Sequence, residues 1–409
     1  MEKKNNKWTV LLLVSFAYFM AQGTRAIYSA VLPQIKVSFG AGVTDAQLGL
    51  VGSTFALVFG IVIPLAGLSA VFFSRKWVLV TGLLLFSSGI FLSGFATGIG
   101  MLLVTYGFLN AAGQSLMPPC NSSLIGQYHI ETRGTAFSIY QIAIYLGIVS
   151  CMLLSSRMAA GNLGADGWRY AFWILGGVAI IWAVVMAVSL KDTPLPGNQD
   201  GKPSVREALR AFFSKPTALI MMLALGCYFF TNYGVILWCP TFMTRVFPDM
   251  AQTTATFHAV LWFYAGSLAG ATLAGRISDR LKQRRPAARF EVELAGLLLC
   301  IPSILIMVFA HSLPMVIVGI LLFGFASGVY DSNLYAAMLD VITPRYHAFA
   351  IGIFGCGGCI VGALGPVVIG WLSDLFGIQL AFSSMAVFAL LGAVFISAAR
   401  LWTVRRDLV

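Results

Sequence analysis

The chain has 409 residues, of which 59% are hydrophobic and only 10% charged. A soluble domain carries about 25% charged residues, and no soluble core of this length hides so much apolar side chain, so lipid must be the solvent for most of the chain. The net charge of +11 would suggest a nucleic-acid partner in a soluble protein, but its placement gives it another meaning here and no nucleic acid is expected.

Long apolar stretches recur near residues 9–33, 45–71, 77–97, 101–127, 134–157 and 168–190, and a second six near 216–243, 254–279, 290–311, 314–342, 348–373 and 379–401. Crossing the hydrocarbon layer takes about 20 helical residues, and the longer stretches imply tilt or extension beyond the bilayer. Helix is the form that satisfies backbone groups within each segment. The expected fold is therefore an all-α membrane protein with twelve transmembrane helices. The first span is too long for a cleavable signal peptide and lacks a small-residue cleavage site, so it is expected to stay as a helix. With Lys3, Lys4 and Lys7 in the cytoplasm, the inside loops collect Arg75, Lys76, Arg133, the 191–215 group, the 276–289 group, Arg345, Arg405 and Arg406. That puts about 21 of the 26 Lys and Arg inside, with Lys36, Arg157, Arg169 and Arg245 near the outer face. The expectation is a plasma or bacterial inner membrane, with both termini cytoplasmic.

Span 1 carries Arg25. An ionised side chain at membrane depth is costly and faces a wet cavity or a partner. Gln22, Tyr28 and Ser29 lie within one turn on the same side. One reading is substrate-anion binding, since a guanidinium offers two coplanar N–H groups to two carboxylate oxygens. The other is snorkelling to the outer interface, or pairing with an acid such as Asp45. Pro33 is expected to end this helix, as Pro240 ends the seventh. Span 4 adds a polar stripe of Asn110, Gln114 and Asn121, and span 5 adds Gln141 and Tyr145. Singly, such residues are more often interhelical glue; together they mark a polar route.

The longest internal polar stretch, 191–215, separates an N-terminal bundle (1–190) from a C-terminal one (216–409). It begins Asp192-Thr-Pro-Leu-Pro-Gly, a linker composition. Ser204-Val-Arg-Glu207 then has capping-box spacing ahead of Leu209, Phe212 and Phe213. A short amphipathic helix on the cytoplasmic face is expected, the alternative being an unstructured tether. The halves repeat at an offset of about 208 residues: Pro33 matches Pro240, Gly67 matches Gly275, and Arg133 matches Arg345. Two pseudo-symmetric six-helix bundles facing each other would leave a cavity between them.

In the second half, Tyr228, Thr231 and Asn232 of span 7 and His258 and Trp262 of span 8 continue the polar stripe, with Asn232 the pseudo-symmetry mate of Arg25. Asp331 falls near the centre of span 10, one turn from Leu334 and Tyr335. It is either a proton carrier or a structural charge paired across helices. Asp340, Glu291 and Glu293 fall at cytoplasmic helix ends and read as interfacial latches. The seven cysteines all lie in apolar segments, and Cys356-Gly-Gly-Cys359, though redox-spaced, sits in a glycine-rich span where close packing is the stronger reading. The four histidines, at 129, 258, 311 and 347, are scattered. With no metal-spaced cluster and no nucleophile–base constellation, no metal, no cofactor and no enzymatic activity are expected.

After span 8 stands Gly275-Arg-Ile-Ser-Asp279-Arg280-Leu-Lys-Gln-Arg284, and span 2 is followed by a degenerate copy. There Gly67, Arg75 and Lys76 remain, while Val71 replaces the acid and Ser74 the glycine. A third echo, Gly365-Pro366 with Gly370-Trp-Leu-Ser-Asp374, ends span 11, and Gly167-Trp-Arg-Tyr-Ala-Phe172 enters span 6. These stretches resemble the signature G-x-x-x-D-R-x-G-R-[KR] and associated motifs of the major facilitator superfamily, over essentially the whole chain. Within it the chain resembles the anion:cation symporter group, which includes hexonate and hexuronate permeases, sialin and vesicular glutamate carriers. Arg25 stands eight residues before Pro33, as in that group, and Trp238-Cys-Pro240-Thr-Phe242 is similar to the end of its seventh helix. Gly107 and Gln114 occupy the places of the group's helix 4 Arg and Glu. The drug:proton antiporter signature G-x-x-x-G-P-x-x-G-G is missing around Gly147.

The resemblance implies a monomeric secondary active transporter that works by alternating access. Its substrate would be a small organic anion, a carboxylate or sugar acid, carried in symport with a proton. Arg25 is the substrate-binding residue that the resemblance supports, and the polar stripes and its helical neighbours add Gln22, Tyr28, Asn110, Gln114, Gln141, Tyr145, Tyr228, Asn232 and Trp262 as candidates. In the family a helix 4 acid often carries the proton, and Gln114 cannot titrate there, so Asp331, by its depth in span 10, is the proton-coupling candidate; Gly67, Arg75, Lys76, Gly275, Asp279, Arg280 and Asp374 form the gating motif. Two other readings stay open. An exporter of lipophilic or lysolipid-like substrates would suit the 13% aromatic content, and a membrane sensor would bind a solute without moving it.

Overall fold

A computed structural model describes residues 6–40, 42–129, 132–161, 164–191, 205–285 and 287–407. Ser204 of the expected capping box and the Pro-rich start of the linker lie outside these residues. The chain divides into two compact units, Met1–Gln199 with Ala251–Phe257, and Asp200–Met250 with His258–Val409.

The first unit begins with α1 (Lys7–Phe39), α2 (Asp45–Phe72) and α3 (Arg75–Ser93). The stretch 99–128 then runs as four helical pieces: α4 (Ile99–Leu102), a π-helical run (Leu103–Asn110), α5 (Ala111–Ser115) and α6 (Met117–Tyr128). Helices α7 (Arg133–Ala160) and α8 (Gly167–Ser189) follow. After the linker come α9 (Val205–Phe213), α10 (Pro216–Val246), α11 (Gln252–Lys282), α12 (Ala288–Phe309), α13 (Leu313–Asp331) and α14 (Leu334–Leu339). The chain continues through α15 (His347–Gly362), α16 (Leu364–Phe376), α17 (Ile378–Ala398), a π turn (Ala399–Thr403) and α18 (Val404–Asp407).

Among the described residues every regular element is helical, and 11 helices are long and apolar enough to cross a membrane. Their outer faces carry exposed side chains such as Ile181, Val188, Leu298 and Val387. Apolar surface on this scale is stable in lipid and not in water, so the protein is an integral membrane protein. The broken stretch 99–128 escapes the count because its π run and the Pro118–Pro119 pair at the start of α6 interrupt regular α-helix.

Two expectations need correction. Pro33 and Pro240 do not end their helices; α1 continues to Phe39 and α10 to Val246. A proline removes a single N–H, and within a packed membrane bundle neighbouring groups tolerate the interruption. Helix α1 stops instead at Gly40, whose φ of 93° suits a residue without a Cβ.

Glycines set the closest helix contacts. A methyl added at Gly147 on α7 would lie 2.3 Å from the Phe19 carbonyl oxygen of α1. In the second unit, Gly266-Ser-Leu-Ala-Gly270 of α11 and Gly324-Phe-Ala-Ser-Gly328 of α13 face each other reciprocally. A Cβ at Gly270 would sit 2.1 Å from the Phe325 carbonyl, and one at Gly324 2.1 Å from the Phe263 carbonyl. Such paired small residues let backbones touch where lipid offers no hydrophobic drive for association. The Cys356–Cys359 stretch follows the same logic: neither cysteine is in a disulfide, and Gly357 and Gly358 press against Met222 and Leu225 of α10.

Helix α9 buries Phe212 in the core of the second unit and leaves Arg206, Glu207 and Arg210 exposed. The start of α10 is capped from the far end of the chain. Asp407 Oδ2 accepts from the Thr217 backbone N–H at 3.0 Å and from its hydroxyl at 2.8 Å, while Lys215 Nζ donates to the Asp407 carbonyl at 3.2 Å. Asp407 is only 4% exposed. Removing such a cap costs about 0.5–2 kcal/mol. Asp407→Ala is therefore expected to lower the melting temperature of the purified protein, and an unchanged melt would show that water replaces the cap.

Candidate functional site

In the first unit, Arg25 is half-buried on α1, with its guanidinium carbon 4.8 Å from the ring centre of Phe55 and 5.2 Å from that of Phe59, both on α2. Aromatic rings stabilise a cation without bringing a counter-charge. The Arg25 backbone carbonyl accepts a hydrogen bond from the Tyr106 hydroxyl. Tyr106 belongs to the π run, and its ring packs 4.8 Å from Tyr28 and 5.6 Å from Phe55. π-helical turns are rare and frequent at functional sites; this one aims an aromatic side chain at the backbone that carries the arginine.

Tyr28 does not present itself to a ligand. It is 0% exposed, and its hydroxyl donates to the Leu48 carbonyl at 2.9 Å, so it braces α1 against α2. Gly107 has a structural reason for being small: a Cβ there would lie 3.0 Å from Thr54. A long side chain at this position would part α2 from the π run.

Gln114 Nε2 donates to the Ala21 carbonyl at 2.8 Å and to Asn110 Oδ1 at 2.9 Å. Among the described residues, buried Gln114 Oε1 and Asn110 Nδ2 have no hydrogen-bond partner. Buried polar atoms are rarely left unsatisfied, which sets this amide pair apart from its packed surroundings. Asn121 Nδ2 donates to the Tyr140 hydroxyl at 3.0 Å, and Gln22 hydrogen-bonds Tyr18. The structure thus brings Asn110 and Gln114 against α1 one turn before Arg25, while Gln22 turns to Tyr18 on its own helix. Gln141 is exposed on α7 and Tyr145 half-buried.

In the second unit, Asp331 is the last residue of α13, and the helix breaks at Ser332–Asn333 before α14 resumes. It is not at the centre of a continuous helix. Irregular backbone at membrane depth is tolerated where it lines a cavity or is packed in protein, and broken helices mark ion and substrate sites. Asp331 is solvent-accessible yet enclosed by protein on most sides, and Tyr228 hydrogen-bonds its carboxyl. Asn232 Nδ2 donates to the Tyr228 hydroxyl at 3.2 Å, and the Tyr228 ring stacks on Tyr330 at 4.1 Å. Trp262 Nε1 donates to His258 Nδ1 at 3.0 Å on α11.

The motif residues behave differently from one another. Asp279 is exposed and 3.7 Å from Arg289 Nη2, Arg280 is exposed, and Gly275 faces open space. The tighter latch is Asp340, which accepts from Lys282 and, at 2.8 and 3.0 Å, from Arg289 Nη1. Glu291 joins Arg400 at 2.6 Å. Arg75 Nη1 donates to Gln127 Oε1 at 2.8 Å beside an open hollow of about 560 Å³ that also touches Ser122 and Ser123. Lys76 lies 5.2 Å from the Trp77 ring, Asp374 is exposed at the end of α16, and Gly67 lies on α2 outside the residues whose side chains are described.

Sequence reasoning missed Phe55, Phe59, Tyr106 and Tyr330, which read as ordinary apolar filling. It also misplaced Glu293, which is no interfacial latch but fully buried. A signal was available. Residues two apart on a helix point about 200° apart, so Glu291 and Glu293 cannot share one interface.

The model of the Major Facilitator Superfamily matches residues 14–292 and 250–408. The "Probable sulfoacetate transporter SauU" of Cupriavidus necator is 27% identical over 391 residues, covering 90% of this chain and 87% of that protein. The glycerol-3-phosphate transporter of Bacillus subtilis is 24% identical over 384 residues, covering 87% of this chain and 84% of that protein. Among solved structures, a bacterial homolog to the human lysosomal transporter Spinster, inward-facing and unoccupied, superposes with a TM-score of 0.86 at 21% identity. The match covers 100% of this chain and 99% of that one, and it carries the fold alone. With the family's pattern running through both units, this chain belongs to the Major Facilitator Superfamily.

Proposed function

We propose that the protein is a proton-coupled secondary transporter of small organic anions. Arg25 is the anion anchor in the first unit, and Asp331 is the proton carrier in the second. The observation that carries this reading is the setting of Arg25, a half-buried cation at membrane depth flanked by Phe55 and Phe59. The rings lower the cost of keeping the charge there. Relatives named for sulfoacetate, glycerol 3-phosphate and ascorbate point to the same class. Counting the broken stretch 99–128 as one span gives twelve helices, with both termini in the cytoplasm of a plasma or bacterial inner membrane by the placement of its basic residues.

The test is uptake into proteoliposomes of radiolabelled sulfoacetate, glycerol 3-phosphate and gluconate, with and without an imposed proton gradient. At least one of these anions is expected to accumulate with the gradient, and uncharged glycerol is not expected to compete. Asp331→Asn is expected to abolish gradient-driven accumulation while sparing counterflow exchange. Accumulation by that variant at the wild-type level would return Asp331 to a structural role, and indifference of every anion to Arg25 would end the anion reading.

A further inference from the structure

Glu293 has no part in the mechanism above. It lies on α12, is 0% exposed, and among the described residues neither of its carboxyl oxygens has a hydrogen-bond partner. Withdrawing a carboxylate ion from water without donors or a counter-charge is heavily penalised, whereas the neutral acid loses far less.

The groups around it offer little to hold an ion. From α13, Tyr330 lies within electrostatic reach of Glu293, and its ring stacks at 4.1 Å on Tyr228 of α10, which hydrogen-bonds Asp331. Cys227 of α10 and Cys300 of α12 are thiols that also lie within electrostatic reach of Tyr330. On α12 itself, Arg289 stands one turn earlier, but its Nη1 is held by Asp340 at 2.8 and 3.0 Å and its Nη2 lies 3.7 Å from Asp279. Glu291 points away and is held by Arg400 at 2.6 Å and Arg285 at 3.7 Å. Helix α17 carries no titratable side chain between Ile378 and Ala398, and α14 offers only Tyr335, 41% exposed.

We propose that Glu293 is a second proton-binding site of this transporter, joined to Asp331 through the stacked Tyr228–Tyr330 pair. The proton rests on the Glu293 carboxyl while α12 and α13 stay packed, and it leaves to water when that contact opens. Both carboxyls border one tyrosine pair, Glu293 beside Tyr330 and Asp331 beside Tyr228. The site rests on the proton-coupled reading of the transport cycle and extends it from one carboxyl to two.

Infrared difference spectroscopy of the lipid-reconstituted protein tests the site without any substrate. At neutral pH the wild type should show the C=O band of a buried protonated carboxyl, lost in Glu293→Gln and kept in Glu291→Gln. Glutamine matches the neutral acid in shape, and a size-exclusion profile like that of the wild type checks folding. In proteoliposomes, proton-driven uptake of the anion that the wild type accumulates should fall at least tenfold in Glu293→Gln, while counterflow persists. A band unchanged in Glu293→Gln overturns the site. A lost band with undiminished gradient-driven uptake overturns its role in coupling. Wild-type uptake indifferent to the gradient, with the band still assigned to Glu293, is the distinct outcome in which proton coupling itself fails.

Discussion

Arg25→Gln is expected to lower organic-anion affinity by roughly ten- to more than a hundredfold while leaving the protein folded. The magnitude follows from losing a hydrogen bond to a charged partner, about 1.5–3 kcal/mol, in a place where the anion would otherwise be desolvated and unpaired. Folding is spared for a specific reason. The contact between Tyr106 and residue 25 is made to the backbone carbonyl, so it survives any side chain, and taking a charge out of α1 eases insertion. Arg25→Lys should fall between, because an ammonium keeps the charge but loses the planar pair of N–H donors. It also loses the flat contact with Phe55 and Phe59. The measurement is a saturation curve for the accumulated anion in proteoliposomes. If the folded glutamine variant transports normally, the anion site is wrong and an exporter of lipophilic substrates becomes the better reading.

Arg25 could be found from sequence because a cation in an apolar span has few ways to exist. Its surroundings could not. Tyr28 shares its helical side within one turn, yet it turns to the Leu48 carbonyl and leaves the guanidinium to Phe55 and Phe59. Helical periodicity says which residues share a face; it does not say which neighbour that face meets. The helices themselves were legible from hydropathy, whereas their interruptions were not. Pro33 and Pro240 carry the strongest local stop signal, and both helices run through them. The real break beside Asp331 falls at Ser332–Asn333, where Asn333 Oδ1 accepts from Ser278 on α11 and its Nδ2 donates to the Ser332 hydroxyl. Side-chain bonds of that kind offer the chain an alternative to the helical ladder, and the Ser278 half of the arrangement comes from a residue 55 positions away. Glu293 failed for the same reason. Its distance along the chain from a basic loop suggested an interface, but its azimuth on α12 puts it inside.

The largest loss of stability is expected at the reciprocal glycines of α11 and α13. A Cβ at Gly324 would sit 2.1 Å from the Phe263 carbonyl oxygen, and one at Gly328 2.1 Å from the Ser267 carbonyl oxygen. Both obstacles are backbone, so no rotamer change relieves them and the helices must part. Overpacking a core commonly costs about 1–3 kcal/mol when side chains can adjust. Gly324→Leu, which must move a whole helix, is expected to exceed that range and to yield little monodisperse protein. Gly275→Ala on α11 and Gly177→Ala on α8, each facing open space, are the matched controls and should melt with the wild type. The milder Gly328→Ala separates packing from function. Gly328 lies less than one turn before Tyr330 and Asp331, so parting α13 from α11 there shifts both residues relative to Tyr228 on α10. Gradient-driven uptake should then decline more than substrate exchange in the folded fraction. A Gly324→Leu protein with the wild-type melting temperature would mean that α11 and α13 never approach this closely, and the placement of Asp331 beside Tyr228 would lose its structural basis.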